Sequence, residues 1–229
     1  FKIRPGETIA IAGRVGSGKT TLLQTIPRLL NVSEGMVFVD GRDIRKLPLG
    51  TLRKQIGFVS QDVFIFSDTV YNNVAFGRDD VTHEDVIQAL DVAGISEEVE
   101  ALDNGLDTLL GERGITLSGG QRQRLTIARA VVGDFPILIL DDALSMVDTR
   151  TEEGILNRIL DLRRNRTNVI VSHRVSTIRR ADRIFVLDRG QLKEEGTHES
   201  LIYLGGIYAA LYEEQLLGEA LENGGANGS

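Results

Sequence analysis

Two apolar patterns alternate along the chain. Short unbroken apolar runs recur at Thr8-Ile9-Ala10-Ile11-Ala12, Ile56-Gly57-Phe58-Val59, Ile137-Leu138-Ile139-Leu140, Asn168-Val169-Ile170-Val171 and Ile184-Phe185-Val186-Leu187. They are strand-length, mostly rich in β-branched residues and bounded by turn signals, so they predict buried strands. Between them, Lys19 to Leu30 and Thr149 to Arg163 carry apolar residues at helical spacing. Continuously apolar strands alternating with helices imply a parallel sheet covered on both faces. Met36-Val37-Phe38-Val39 runs into Asp40-Gly41, a hairpin-turn pair.

The pattern changes between Thr69 and Val132, where segments are mainly helical and polar-faced. Thr82-His83-Glu84-Asp85 fits a capping box opening Val86-Ile87-Gln88-Ala89-Leu90. This middle reads as an inserted subdomain. The expected division is a core of residues 1–68 and 133–205, a helical subdomain of residues 69–132, and a C-terminal helix and flexible tail in residues 206–229. Ile207 to Leu217 reads as a surface helix, and Asn223 to Ser229 as a low-complexity end.

Composition narrows the function classes. A chain of 229 residues suits one large domain with a subdomain. It can bury roughly 70% of its unfolded surface. With 26 basic and 33 acidic residues the net charge is −7, which argues against nucleic acid as a partner. Zero Cys removes disulfides, thiolate metal sites and thiol nucleophiles. No apolar run approaches the roughly 20 residues that span a bilayer. The opening Phe1-Lys2-Ile3-Arg4-Pro5 is no signal or transit peptide, so the expectation is a soluble chain whose membrane role would come through a partner or another segment.

Chemistry concentrates first in Gly13-Arg14-Val15-Gly16-Ser17-Gly18-Lys19-Thr20, which matches G-x-x-x-x-G-K-[ST] between a strand and a helix. The glycines let successive N–H groups point inward as an anion nest, and the helix start adds its positive dipole end. Lys19 is expected at the β/γ-phosphates and the Thr20 hydroxyl at Mg²⁺. The expected phosphate-binding set runs through Thr21. The second centre is Asp141-Asp142, at the carboxyl end of an apolar strand, where ligands bind in open α/β sheets. Asp141 is the expected Mg²⁺-side carboxylate. A third segment, Leu117-Ser118-Gly119-Gly120-Gln121, opens a helix that runs through Ala128-Arg129-Ala130. Its start is another anion-ready N-terminus.

With Phe58-Val59-Ser60-Gln61, Ser145-Met146-Val147-Asp148 and Ser172-His173, these motifs stand in one order along the chain. In that order the chain resembles the nucleotide-binding domain of an ATP-binding cassette (ABC) transporter, of exporter type, from Phe1 to about Leu217. The resemblance implies an α/β fold: a P-loop NTPase (RecA-like) core with a mainly parallel sheet, an inserted helical subdomain and a partial antiparallel β subdomain. It implies ATP and Mg²⁺ as ligands and ATP hydrolysis coupled to transport at the cytoplasmic face of a membrane, plasma or inner. Gln61 then matches the glutamine that touches Mg²⁺ and the attacking water and senses the membrane domain. Ser118, Gly119 and Gly120, with Gln121 following, match the signature loop that binds the γ-phosphate held by a second nucleotide-binding domain. Asp148 matches an aspartate at the dimer interface, and His173 a histidine at the γ-phosphate. Gly111-Glu112-Arg113-Gly114 resembles the element facing the membrane domain.

The pattern is broken in two places. The general base following the Mg²⁺-side aspartate is usually Glu in this family, and here it is Asp142. The shorter side chain sets the carboxylate back by roughly 1.5 Å. That implies either a degenerate, slow site with a partner domain on a different chain, or an ordinary active site that tolerates Asp. The family's adenine-stacking aromatic lies upstream of the first core strand, and Phe1 starts too late for that position. Two alternatives stay open: a regulatory nucleotide-binding half with little turnover, and a non-transport ABC ATPase. The second normally separates the phosphate loop and signature by coiled coils, and no sustained heptads occur here. His83, His173 and His198 form no metal-ligand spacing.

Overall fold

The computed structural model describes residues 1–111 and 116–225. The chain order is β1 (Thr8–Ala12), α1 (Lys19–Thr25), β2 (Phe38–Val39), β3 (Arg42–Asp43), α2 (Leu49–Arg53), β4 (Ile56–Val59), α3 (Val70–Ala75), α4 (His83–Val92), α5 (Ser96–Glu100) and α6 (Gly119–Val131). It continues with β5 (Ile137–Asp141), α7 (Thr149–Leu162), β6 (Thr167–Val171), α8 (Val175–Ile178), β7 (Arg183–Asp188), β8 (Gln191–Gly196), α9 (His198–Leu204) and α10 (Ile207–Gly225).

Six strands form one sheet in the order β4-β5-β6-β1-β7-β8. The first five are mutually parallel, and β8 pairs antiparallel with β7 at the edge. Period-2 alternation sends neighbouring apolar side chains to opposite faces. Thus Ala10, Leu138, Leu140, Ile170, Ile184 and Val186 join one core cluster with α3–α7, whereas Ile9, Ile11, Ile139, Val169 and Phe185 join another with Leu23 and Ile44. Both faces are covered, which is why the strands read as unbroken apolar runs. Among the described residues no helix is long and apolar enough to cross a membrane.

The capping box at Thr82–Asp85 is present: the Thr82 hydroxyl accepts from the Asp85 amide, and the Asp85 carboxylate accepts from the Thr82 amide. Asp40 and Gly41 turn between β2 and β3 with φ of 49° and 73°. The first helix ends at Thr25 rather than Leu30, just before Pro27, which has no N–H to continue the ladder. The last helix runs from Ile207 to Gly225, beyond Leu217.

Candidate active site

β1, β5 and β6 are adjacent and parallel, so their carboxyl ends open on one edge of the sheet. The phosphate loop follows β1, Asp141-Asp142 ends β5, and Ser172-His173 follows β6. Topology alone thus gathers residues separated by more than a hundred positions.

The loop is built by backbone conformations that side chains disfavour. Gly13, Gly16 and Gly18 have φ of 146°, 80° and 98°. A Cβ on Gly13 would lie 2.3 Å from the Leu187 carbonyl oxygen, so only glycine fits. Arg14, Val15 and Gly16 are exposed at the loop's crown, whereas Ser17 and Lys19 are buried beneath it. Lys19 Nζ donates to the carbonyls of Gly13 (2.8 Å) and Arg14 (3.1 Å), folding the ammonium back onto the loop. Burial pulls its pKa down, and the charges of Asp142 and Asp141 oppose that.

Thr20, in the first turn of α1, donates its hydroxyl to Asp141 Oδ1 at 3.1 Å. Asp141 is 1% exposed, and its Oδ2 is buried without a hydrogen-bond partner among the described residues. Burial pushes its pKa up most; the Thr20 hydrogen bond opposes this and the Asp142 charge adds to it. A buried orphan carboxylate oxygen beside a threonine hydroxyl is an all-oxygen donor set of the kind hard divalent cations such as Mg²⁺ take. The Ser17 hydroxyl is likewise buried and unpartnered under the loop. Both orphans fit a site that Mg²⁺ and phosphate oxygens complete.

Asp142 follows in the left-handed region, with φ of 53°. One carboxylate oxygen lies 2.7 Å from His173 Nε2, and the other accepts the His173 amide at 3.3 Å. The acid is buried and the imidazole half exposed, so the pair presents one open side. Gln61 stands two residues beyond Val59, which pairs with Leu140. The register brings its backbone beside the acids, but its side chain is exposed and makes no hydrogen bond to Thr20 or Asp141. Thr21 is exposed on α1.

Ser118–Gln121 lies elsewhere, at the start of α6 in the helical region. Ser118 and Gln121 form a reciprocal capping box, with bonds of 2.9 and 3.2 Å. Among the described residues no hydrogen bond joins this segment to Gly13–Thr21. A Cβ on Gly120 would meet the Met146 carbonyl oxygen at 3.1 Å, and one on Gly119 the Met146 sulfur at 2.7 Å. Asp148 caps α7 by accepting from the Thr151 amide. Glu112 lies outside the described residues.

Among the buried polar residues that escaped the sequence reading, Gln123 and Glu152 lie against the loops of the site. Gln123 donates to the Ser145 hydroxyl and accepts the Met146 amide, at 3.0 and 2.8 Å. Glu152 is 2% exposed and faces Ser172, Arg174 and Thr177. Each was signalled by a polar residue standing on a buried helical stripe: Glu152 shares its face with Ile155, Leu156 and Ile159.

Residues 1–145 match the family described as "ABC transporter". The chain is 48% identical over 216 residues to an ATP-dependent lipid A-core flippase of Methylobacillus flagellatus, covering 94% of this chain and 37% of that protein. A flippase of the same name from Salmonella typhimurium is 45% identical over 216 residues, with the same coverage. A solved structure titled "Structure of a bacterial Atm1-family ABC exporter with ATP bound" superposes with a TM-score of 0.88 at 41% identity, covering 92% of this chain and 37% of that one. The chain therefore spans little more than a third of the length of these relatives. On the matched domain, the ordered motifs and the site they build, this chain belongs to the ABC transporter family and carries its ATP-binding domain.

Proposed function

We propose that this chain is the ATP-hydrolysing motor domain of an exporter. In this reading it works at the cytoplasmic face of a plasma or inner membrane, where two such domains close head-to-tail around two ATP molecules. The observation that carries the reading is a division of the site. Lys19, Thr20, Asp141, Asp142 and His173 converge at one edge of the sheet, while the anion-ready Ser118–Gln121 stands on a separate set of helices. A second copy or a related domain can present its signature loop to this edge.

The residues divide the work as follows. Loop amides and Lys19 bind the phosphates, with the ammonium leaving the Gly13 and Arg14 carbonyls for phosphate oxygens. Thr20 and Asp141, joined by Gln61, would hold Mg²⁺, which neutralises charge developing on the β- and γ-phosphate oxygens. Asp142 orients the attacking water and accepts its proton. His173 holds that carboxylate through Nε2 and lies on the γ-phosphate side.

Asp142 supports a slow site whose partner domain, on a different chain, supplies the faster one. Gln61 and the region of Glu112 would meet the membrane domains. The relatives named as lipid A-core flippases make a lipid the substrate class to try first.

Lys19→Ala is the direct test. The variant should lose Mg-ATP binding in a fluorescence titration and lose ATP hydrolysis, while its melting curve stays cooperative. Tight nucleotide binding retained by Lys19→Ala would overturn the reading.

A further inference from the structure

A buried carboxylate behind the active site is not used by the mechanism above. Glu152 lies in the first turn of α7, four residues beyond the capping Asp148. It is 2% exposed, and both its oxygens are engaged. Oε1 accepts the hydroxyls of Ser172 (3.1 Å) and Thr177 (2.6 Å). Oε2 pairs with the Arg174 guanidinium, which also donates to the Val147 carbonyl at 2.8 Å. The Ser172 hydroxyl in turn accepts the Arg174 amide at 3.0 Å.

Ser172 and Arg174 are the two chain neighbours of His173. Among the described residues the imidazole itself is tied only to Asp142, through Nε2, and it is half exposed. The loop carrying it is short, and α8, which follows, has four residues. Besides the His173 amide on Asp142 and the Val175 amide on Gln215, one carboxylate grips the residue before the histidine, the residue after it, and Thr177 within α8. A buried charge bonded to three partners is costly to disturb, because losing any partner leaves polar groups unpaired.

We infer that Glu152 is a positioning residue: it sets the backbone on both sides of His173 and so aims the imidazole at Asp142. Through Arg174 and Val147 the same carboxylate ties His173 to the loop preceding α7. Displacement of that loop, which the proposed head-to-tail dimer places at the interface, then displaces His173. Glu152 touches no reacting atom, and its effect passes wholly through the histidine. This inference rests on the proposed hydrolytic function.

The test uses the purified chain and its Glu152→Gln and Ser172→Ala variants. Glu152→Gln keeps the shape and the acceptor for the two hydroxyls but removes the ionic grip on Arg174. Ser172→Ala removes one link without leaving a buried charge, and covers the case in which Glu152→Gln does not fold. Misplacement by about 1 Å costs on the order of a hundredfold in rate, so partial release should lower kcat about tenfold. Nucleotide Kd and KM should stay within about twofold, because neither residue touches the phosphate loop. The chain has three histidines, so the His173 ring can be followed as one of three imidazole NMR signals, assigned with His173→Ala. Both variants should move that signal and leave those of His83 and His198 in place, which a general loss of stability would not do.

Lys19-dependent hydrolysis with kcat unchanged in a folded variant, and the His173 signal unmoved, would overturn the positioning role alone. So would a loss of kcat matched by an equal loss of nucleotide affinity. Hydrolysis that survives Lys19→Ala would overturn the functional reading itself, and this inference with it.

Discussion

Lengthening the acid at position 142 by one methylene should speed ATP turnover and lower stability at the same time. Asp142 is 7% exposed, is held by His173 at 2.7 Å, and follows Asp141 with a left-handed backbone. Relative to a glutamate its carboxylate is set back by roughly one carbon–carbon bond, about 1.5 Å. A misplacement near 1 Å costs about a hundredfold, equivalent to about 2.7 kcal/mol of barrier. Asp142→Glu should therefore raise kcat by roughly tenfold to a hundredfold. The backbone pulls the other way. At a φ of 53° an aspartate is tolerated through local hydrogen bonding, whereas a longer side chain meets a cost of about 1–2 kcal/mol. For a chain of this size each kcal/mol lowers Tm by about 2–4 °C. Phosphate release at saturating Mg-ATP and calorimetry on the same preparation measure both effects. Opposite signs separate a repaired base from a protein that merely folds better. An unchanged rate in material that demonstrably forms the ATP-bound dimer would refute the argument.

The remaining predictions concern the scaffold. Gly13→Ala should cost on the order of 1–3 kcal/mol from backbone strain and abolish nucleotide binding, because its Cβ would lie 2.3 Å from the Leu187 carbonyl oxygen; a stable variant with unaltered affinity in titration would contradict this. Glu7 accepts from the Arg183 guanidinium, which lowers its pKa against the effect of burial, with the Arg4 amide lowering it further. A depressed carboxylate contributes stability that is present above its unfolded pKa and lost as pH falls through the folded one. Tm of the wild-type chain should thus fall more steeply below pH 4.5 than that of Glu7→Gln, and parallel acid limbs would rule the contribution out.

The central strands were legible because a sheet covered on both faces makes their middles apolar on both sides: β1, β5, β6 and β7 carry polar residues only towards their ends. The edge was not. β8 has the sequence Gln-Leu-Lys-Glu-Glu-Gly and is largely exposed, so neither periodicity nor hydrophobicity marked it. It is a strand because β7 offers a free edge, which is a tertiary cause. The site divides in the same way. The positions of Gly13–Thr20, Asp141 and Asp142 at strand ends were readable because apolar runs lead directly into them. The contact between Asp142 and His173, 31 residues apart, depends on where β5 and β6 lie in the sheet, and no local pattern encodes it. Gln61 follows the β4 residue Val59 by two positions and is exposed, which its motif alone does not tell.

The segment from Asp141 to Glu152 gives the proposed dimer a mechanical logic. Its first residues, Asp141 and Asp142, contact Thr20 and His173 at the sheet edge proposed to hold this chain's own nucleotide. Its middle, Ser145 and Met146, is bonded to Gln123 on α6 and lies against Gly119 and Gly120, the residues proposed to serve the opposite nucleotide. Its end, Glu152, grips the loop of His173. A stretch of a dozen residues thus holds Asp141, backs Gly119 and Gly120 and supports the loop of the histidine. Gln123 is 1% exposed, and losing its two hydrogen bonds would leave buried polar atoms on both sides. That penalty keeps the α6 start and the loop moving as one body. Occupancy at one nucleotide can then bias the geometry of the other through covalent continuity and packed hydrogen bonds, with coupling free energy set by how differently the two loop positions bind ATP.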